Sequence, residues 1–124
     1  MNARILCVDD DSRINELNVI ALTRAGYEVE VAVSPAAALA RFREGTFDLV
    51  ITDLFASPSS DAEYIAKLRH ISPSIPIILV TGDHSPSSEI LRQTDAFIEK
   101  AYSLRALTDS VRDVLGRGRL RRIG

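Results

Sequence analysis

The sequence has no tryptophan, one methionine and one cysteine, and only 6% of its residues are aromatic. A single thiol cannot build a disulfide framework, which fits a reducing compartment. Cys7 lies in the apolar stretch Ile5 to Val8 and reads as a small buried hydrophobe, not a reactive group. Long apolar runs are missing too: none reaches the roughly 18 residues that mark a membrane span. The opening Met1-Asn2-Ala3-Arg4 leads into an apolar stretch that ends at Asp9, too short for the core of a secretory signal. A cytoplasmic protein is therefore expected. Charge of one sign is not in excess: the net charge is -2, with 26% charged and 46% apolar residues, near the globular average. The charge is uneven, however. Arg117, Arg119, Arg121 and Arg122 leave -6 on the rest of the chain. Such a basic stretch reads as a solvated, poorly ordered tail or the start of a linker over 117–124, not as a nucleic-acid or membrane contact.

At 124 residues the chain has the length of one domain, which buries about two thirds of its unfolded surface. Apolar runs with β-branched residues recur at Ile5–Val8, Val29–Val33, Leu49–Ile51, Ile77–Val80 and Ala96–Ile98. Helical spacing fills the gaps. The first helix is predicted after an N-cap at Ser12, with Ile14, Leu17, Ala21, Leu22 and Ala25 inward and Gly26 as the stop. Ser34-Pro35 opens the second, which faces inward through Ala38, Leu39 and Phe42 and stops at Gly45. A third is expected from Asp61 to His70, a short fourth from Ser87 to Gln93, and a last from Ser103 to Leu115, before Gly116. This βα alternation predicts an α/β fold, an open five-stranded parallel sheet with helices on both faces. In such sheets a ligand site forms at the carboxyl ends of the strands.

Those ends carry the chemistry. Strand one ends in Asp9-Asp10-Asp11, strand three in Thr52-Asp53, strand four in Thr81-Gly82 and strand five in Glu99-Lys100. Carboxylates gathered at one edge repel unless a cation offsets them, and oxygen-only ligands favour Mg²⁺. A carboxylate can attack phosphorus to form an aspartyl phosphate, while a lysine and a threonine hydroxyl hold the phosphoryl oxygens.

The pattern resembles the receiver domain of two-component response regulators, over everything but the tail. The resemblance implies a flavodoxin-like sheet of order 2-1-3-4-5, with a receiver over 1–116. It matches Asp53 to the phosphoacceptor, with Asp10 as a direct Mg²⁺ ligand, Asp9 acting through water, and the Phe55 carbonyl completing the protein's ligands. Thr81 and Lys100 match the phosphoryl-binding hydroxyl and lysine, and Phe97 matches the aromatic switch position beside Thr81. The implied function is a phosphorylation switch, not a turnover enzyme. A sensor histidine kinase or histidine phosphotransfer protein would be the donor, the output unknown, and a homodimer compatible.

The sequence departs from the family pattern in places. Pro58 comes one position later than the family's proline, Asp61-Ala62 stands for Asp-Gly, and the stretch from Thr81 to Lys100 is short. Ala101 follows Lys100 where the family has a cis proline, so a trans Lys100-Ala101 peptide is expected. The rival within the fold is a pseudo-receiver that binds proteins without phosphorylation. A haloacid-dehalogenase-like phosphatase would need an aspartate where Phe55 stands, and His70 and His84 lack metal-motif spacing.

Overall fold

The computed structural model describes residues 2–54, 58–82, 86–100 and 103–123, excluding the side chains of 44, 58, 59 and 118–123. Phe55, His84 and the Lys100-Ala101 peptide lie outside the described residues. Five strands alternate with five helices: β1 (Arg4–Val8), α1 (Ser12–Arg24), β2 (Glu28–Ala32), α2 (Pro35–Glu44), β3 (Leu49–Asp53), α3 (Pro58–Ile71), β4 (Ile77–Thr81), α4 (Ser88–Arg92), β5 (Ala96–Glu99) and α5 (Leu104–Ile123). The sheet is wholly parallel, in the order β2-β1-β3-β4-β5, as expected.

Side chains alternate across the sheet, so each central strand feeds two cores. Leu6, Val8 and Val50 pack with Ala38 and Phe42 of α2 and with Tyr64, Ile65 and Leu68 of α3. Their strand neighbours Ile5, Cys7, Leu49 and Ile51 pack with Leu22 of α1 and with Leu107, Val111 and Val114 of α5. β3 and β4 are buried at every position, as continuous apolar strands covered on both faces must be.

Local signals set most of the helix ends. Ser34 caps α2 by accepting from the Ala37 N–H at 3.1 Å, with Pro35 pre-set for the first turn. Ser87 caps α4 likewise, and this helix is as short as the sequence predicts. Gly26 takes the left-handed conformation (φ +99°) that ends α1's connection to β2.

Four expectations need correction. The cap of α1 is Asp11, not Ser12: its carboxylate accepts from the Arg13 N–H at 2.9 Å, and Ser12 is already helical. α1 also turns a different face inward: Asn15, Asn18 and Leu22 are buried, whereas Leu17 is 51% exposed. α3 begins at Pro58, ahead of Asp61, since proline is tolerated in a helix's first turn. α5 does not stop at Leu115 but runs through Gly116 to Ile123, so the basic segment is helical. The two interior glycines, Gly116 and Gly118, cost only about 1 kcal/mol each, and arginine is a good helix former.

Candidate functional site

The order of the sheet reverses between β1 and β3, where crossovers leave in opposite directions and open a crevice at the carboxyl ends. Val8 pairs with Thr52, so the residues that follow, Asp9 and Asp53, come side by side. Both carboxylates are buried, whereas Asp10 points to solvent. One oxygen from each of Asp9, Asp10 and Asp53 lies within 4.8 Å of the others. Oxygen ligands of a single Mg²⁺ stand about 3–4 Å apart, so a modest contraction would seat one hard cation among them. The donor set fits the ion that the sequence calls for.

Lys100 reaches the same point from the end of β5. Its ammonium donates to Asp53 Oδ2 at 2.7 Å and lies 3.5 Å from Asp9 Oδ2. Backbone contacts hold it there, because the Lys100 N–H donates to the Thr81 carbonyl at 2.7 Å, tying β5 to β4. The other Asp53 oxygen, Oδ1, accepts from the Leu54 N–H at 2.7 Å. Asp9 is fixed by the Asp11 N–H, which donates to its Oδ1 at 2.9 Å.

The electrostatics follow from this crowding. Burial raises the pKa of Asp9, the Asp11 N–H works against it, the Asp53 charge adds to it and Lys100 offsets it; the net shift is upward. For Lys100, burial pulls downward, but the hydrogen bond and charge of Asp53, with help from Asp9, outweigh it and raise the pKa. The Asp9 carboxyl is thus harder to ionise than a free one, while the proton on Lys100 is held more firmly.

The structure brings Asp9, Asp10, Asp53 and Lys100 together. Thr81 is buried at the end of β4, one residue beyond Val80, the partner of Asp53. Phe97 stands on the edge strand β5, 41% exposed, opposite Leu79.

Sequence reasoning missed a second layer of polar residues. Thr52 Oγ1 donates to the Asp53 carbonyl at 3.0 Å and meets the Tyr64 hydroxyl at 2.9 Å, a link from α3 to the backbone of Asp53. Burial pushes the Tyr64 phenol pKa up, although the Thr52 bond opposes it. Asn15 and Asn18 are buried beneath the acidic pair. Their spacing with Leu22, i, i+3 and i+7, was the available signal, but their polarity assigns them to the solvent face.

Comparison with known proteins agrees with this geometry. A profile of the response regulator receiver domain matches residues 5–112. The chain is 32% identical over 117 residues to the sensory transduction protein RegX3 of Mycobacterium tuberculosis, covering 92% of this chain and 51% of RegX3. It thus spans about half the length of that relative. A CheY-like receiver domain protein from Methanospirillum hungatei matches with a TM-score of 0.90 at 30% identity, over 98% of this chain and 99% of that one. TrrA from Thermotoga maritima, solved in complex with Mg²⁺ and BeF, matches with a TM-score of 0.80 at 32% identity, over 92% and 99% of the two chains. With the acidic pocket, the sheet order and the matched profile in agreement, the chain belongs to the receiver-domain family of two-component response regulators.

Proposed function

We propose that Asp53 is the phosphoacceptor of this receiver, in a Mg²⁺-dependent transfer from the phosphohistidine of a sensor kinase or a histidine phosphotransfer protein. The observation that carries this reading is the convergence of three carboxylates within 4.8 Å, with the Lys100 ammonium 2.7 Å from Asp53. A module that only binds proteins has no use for such crowding, and the Mg²⁺ and BeF complex of the related TrrA supports the same use of the pocket.

In the transfer an Asp53 carboxylate oxygen attacks phosphorus, the P–N bond breaks, and the imidazole leaves with its electron pair and is protonated by solvent. Asp10 and Asp53 would hold the cation directly, Asp9 through water, and the carbonyl of Phe55 would complete the protein's ligands. When bound, the cation supplies positive charge against the phosphoryl oxygens and the carboxylates. Lys100 then exchanges its contact with Asp53 for one with a phosphoryl oxygen, and the Thr81 hydroxyl donates to another. Thr81 moving toward the phosphoryl group makes room for Phe97 to turn inward from its exposed place, which alters the β4 to α5 face as the output.

Residues 1–116 form the switch, in the cytoplasm, and 117–124 are a basic tail or the start of a linker continuing α5; the output is unknown. The receiver stores its phosphoryl group and loses it by slow hydrolysis; it has no turnover substrate, binds no nucleic acid or membrane itself, and a homodimer is compatible with it. Incubation with Mg²⁺ and acetyl phosphate should add about 80 Da, the mass of one phosphoryl group, to the wild type and nothing to Asp53→Asn. Equal labelling of the variant would sink the assignment.

A further inference from the structure

We propose that Asn15 is a positioning residue for the cation site: its side-chain amide fixes the peptide between Asp9 and Asp10, and so sets how tightly the acidic pair binds a divalent cation. The inference rests on the reading of the acidic cluster above and adds a residue that neither touches the cation nor reacts.

Asn15 lies on the first turns of α1 and is 3% exposed. Its Nδ2 donates to the Asp9 carbonyl at 2.9 Å and to the Ala32 carbonyl at 3.3 Å. The Ala32 carbonyl also accepts from the Asp9 N–H at 3.1 Å. Asp9 is therefore clamped on both sides of its backbone, its N–H by the end of β2 and its C=O by α1. That C=O belongs to the peptide plane from which Asp10 projects. Because the Asp10 side chain is exposed, the direction of its backbone decides where its carboxylate can reach. A free rotation of that plane would scatter the carboxylate away from Asp9 and Asp53.

The placement of Asn15 costs the fold something. Its Oδ1 is buried with no hydrogen-bond partner among the described residues, a penalty that an apolar side chain of similar size would avoid. Flipping the amide gives no relief, because Oδ1 would then face the Asp9 and Ala32 carbonyls and both donated bonds would be lost. Asn15 thus holds the Asp9 peptide at a cost to its own amide oxygen, and the group that peptide carries is the acidic pair.

The test measures Mg²⁺ binding by titration calorimetry, together with metal-free denaturant unfolding, for wild type, Asn15→Leu and Asn15→Ser. Asn15→Leu leaves the Asp9 carbonyl without its side-chain donor; it should still fold without metal, with some loss of stability, and bind Mg²⁺ about 10-fold more weakly, as loss of an outer-shell partner does. Asn15→Ser, a smaller change, keeps the test open should the leucine variant not fold, and its affinity should fall in the same direction. Affinity within about twofold of wild type in a folded variant overturns the proposal. So does a loss of affinity that merely tracks a loss of metal-free stability. Wild type that binds no Mg²⁺ in the same titration overturns the reading of the acidic cluster, whereas tight wild-type binding with unchanged variants overturns only the role of Asn15.

Discussion

Cys7 lies on β1 and Asp9 just past its end, and their environments show how burial treats an acid with and without partners. Burial alone acts on the thiol and pushes its pKa to about 12. Its unfolded value is 9.0, so the folded state stays neutral while the unfolded state ionises. The sign is then fixed: a raised folded pKa costs nothing below pH 9 and withdraws stability as pH rises from there to about 12. Lys100 loses its proton in a neighbouring window, so the thiol's share must be isolated by substitution. Cys7→Ala should be less stable than wild type at pH 7.5, from lost packing, and should gain about 2 kcal/mol on it by pH 10.5 in urea melts. An offset that stays constant across that range would contradict the burial argument.

The acids were legible in the sequence for a simple reason. Asp9, Asp53, Thr81 and Lys100 follow apolar runs that can only be strands, and a parallel sheet brings all such ends to one edge. The partners of those acids were not. Asn15 serves the backbone of Asp9 from another element, and nothing in its neighbours along the chain signals that.

At the scale of elements, what misled was the use of polarity as a proxy for exposure. Apolar spacing places Leu17 on the inner face of α1, but the inner face lies against the ends of β1 and β2, whose last carbonyls need donors. Asn15 meets that need, and Leu17 and Ile20 are left 51% and 45% exposed. Helix ends were legible where a cap and a breaker coincide, as at Ser34 and Gly45 of α2. They were not where glycines stand among helix formers, as at Gly116 and Gly118. Gly116 serves no conformational need: its φ is not positive, and a Cβ added there meets nothing within 4 Å. Gly116→Ala should therefore stabilise the protein by about 0.5–1 kcal/mol, through the smaller backbone entropy lost on folding. Equilibrium unfolding would show it as a higher midpoint with an unchanged slope. No gain would mean that the end of α5 contributes nothing to the cooperative unit.

For the molecule as a whole, the sheet gathers negative charge at one edge while the last helix carries basic residues away from it. Lys100 offsets part of that charge on Asp9 and Asp53, and Asp10, exposed at the rim, adds to it. Folding and cation binding are then linked, because only the folded chain brings the three carboxylates together. A cation at about 100 times its dissociation constant should add about 2.7 kcal/mol of stability. Asp10→Ala removes one carboxylate from the cluster without emptying any part of the core, and it lowers the repulsion within the cluster. Its metal-free fold should be as stable as wild type or slightly more so, while the gain on adding Mg²⁺ should vanish. Monovalent salt at matched ionic strength is the control, since general screening would stabilise both proteins alike. A Mg²⁺-induced rise in the melting temperature of Asp10→Ala equal to that of wild type would remove Asp10 from the ligand set and break the link between the acidic edge and the switch.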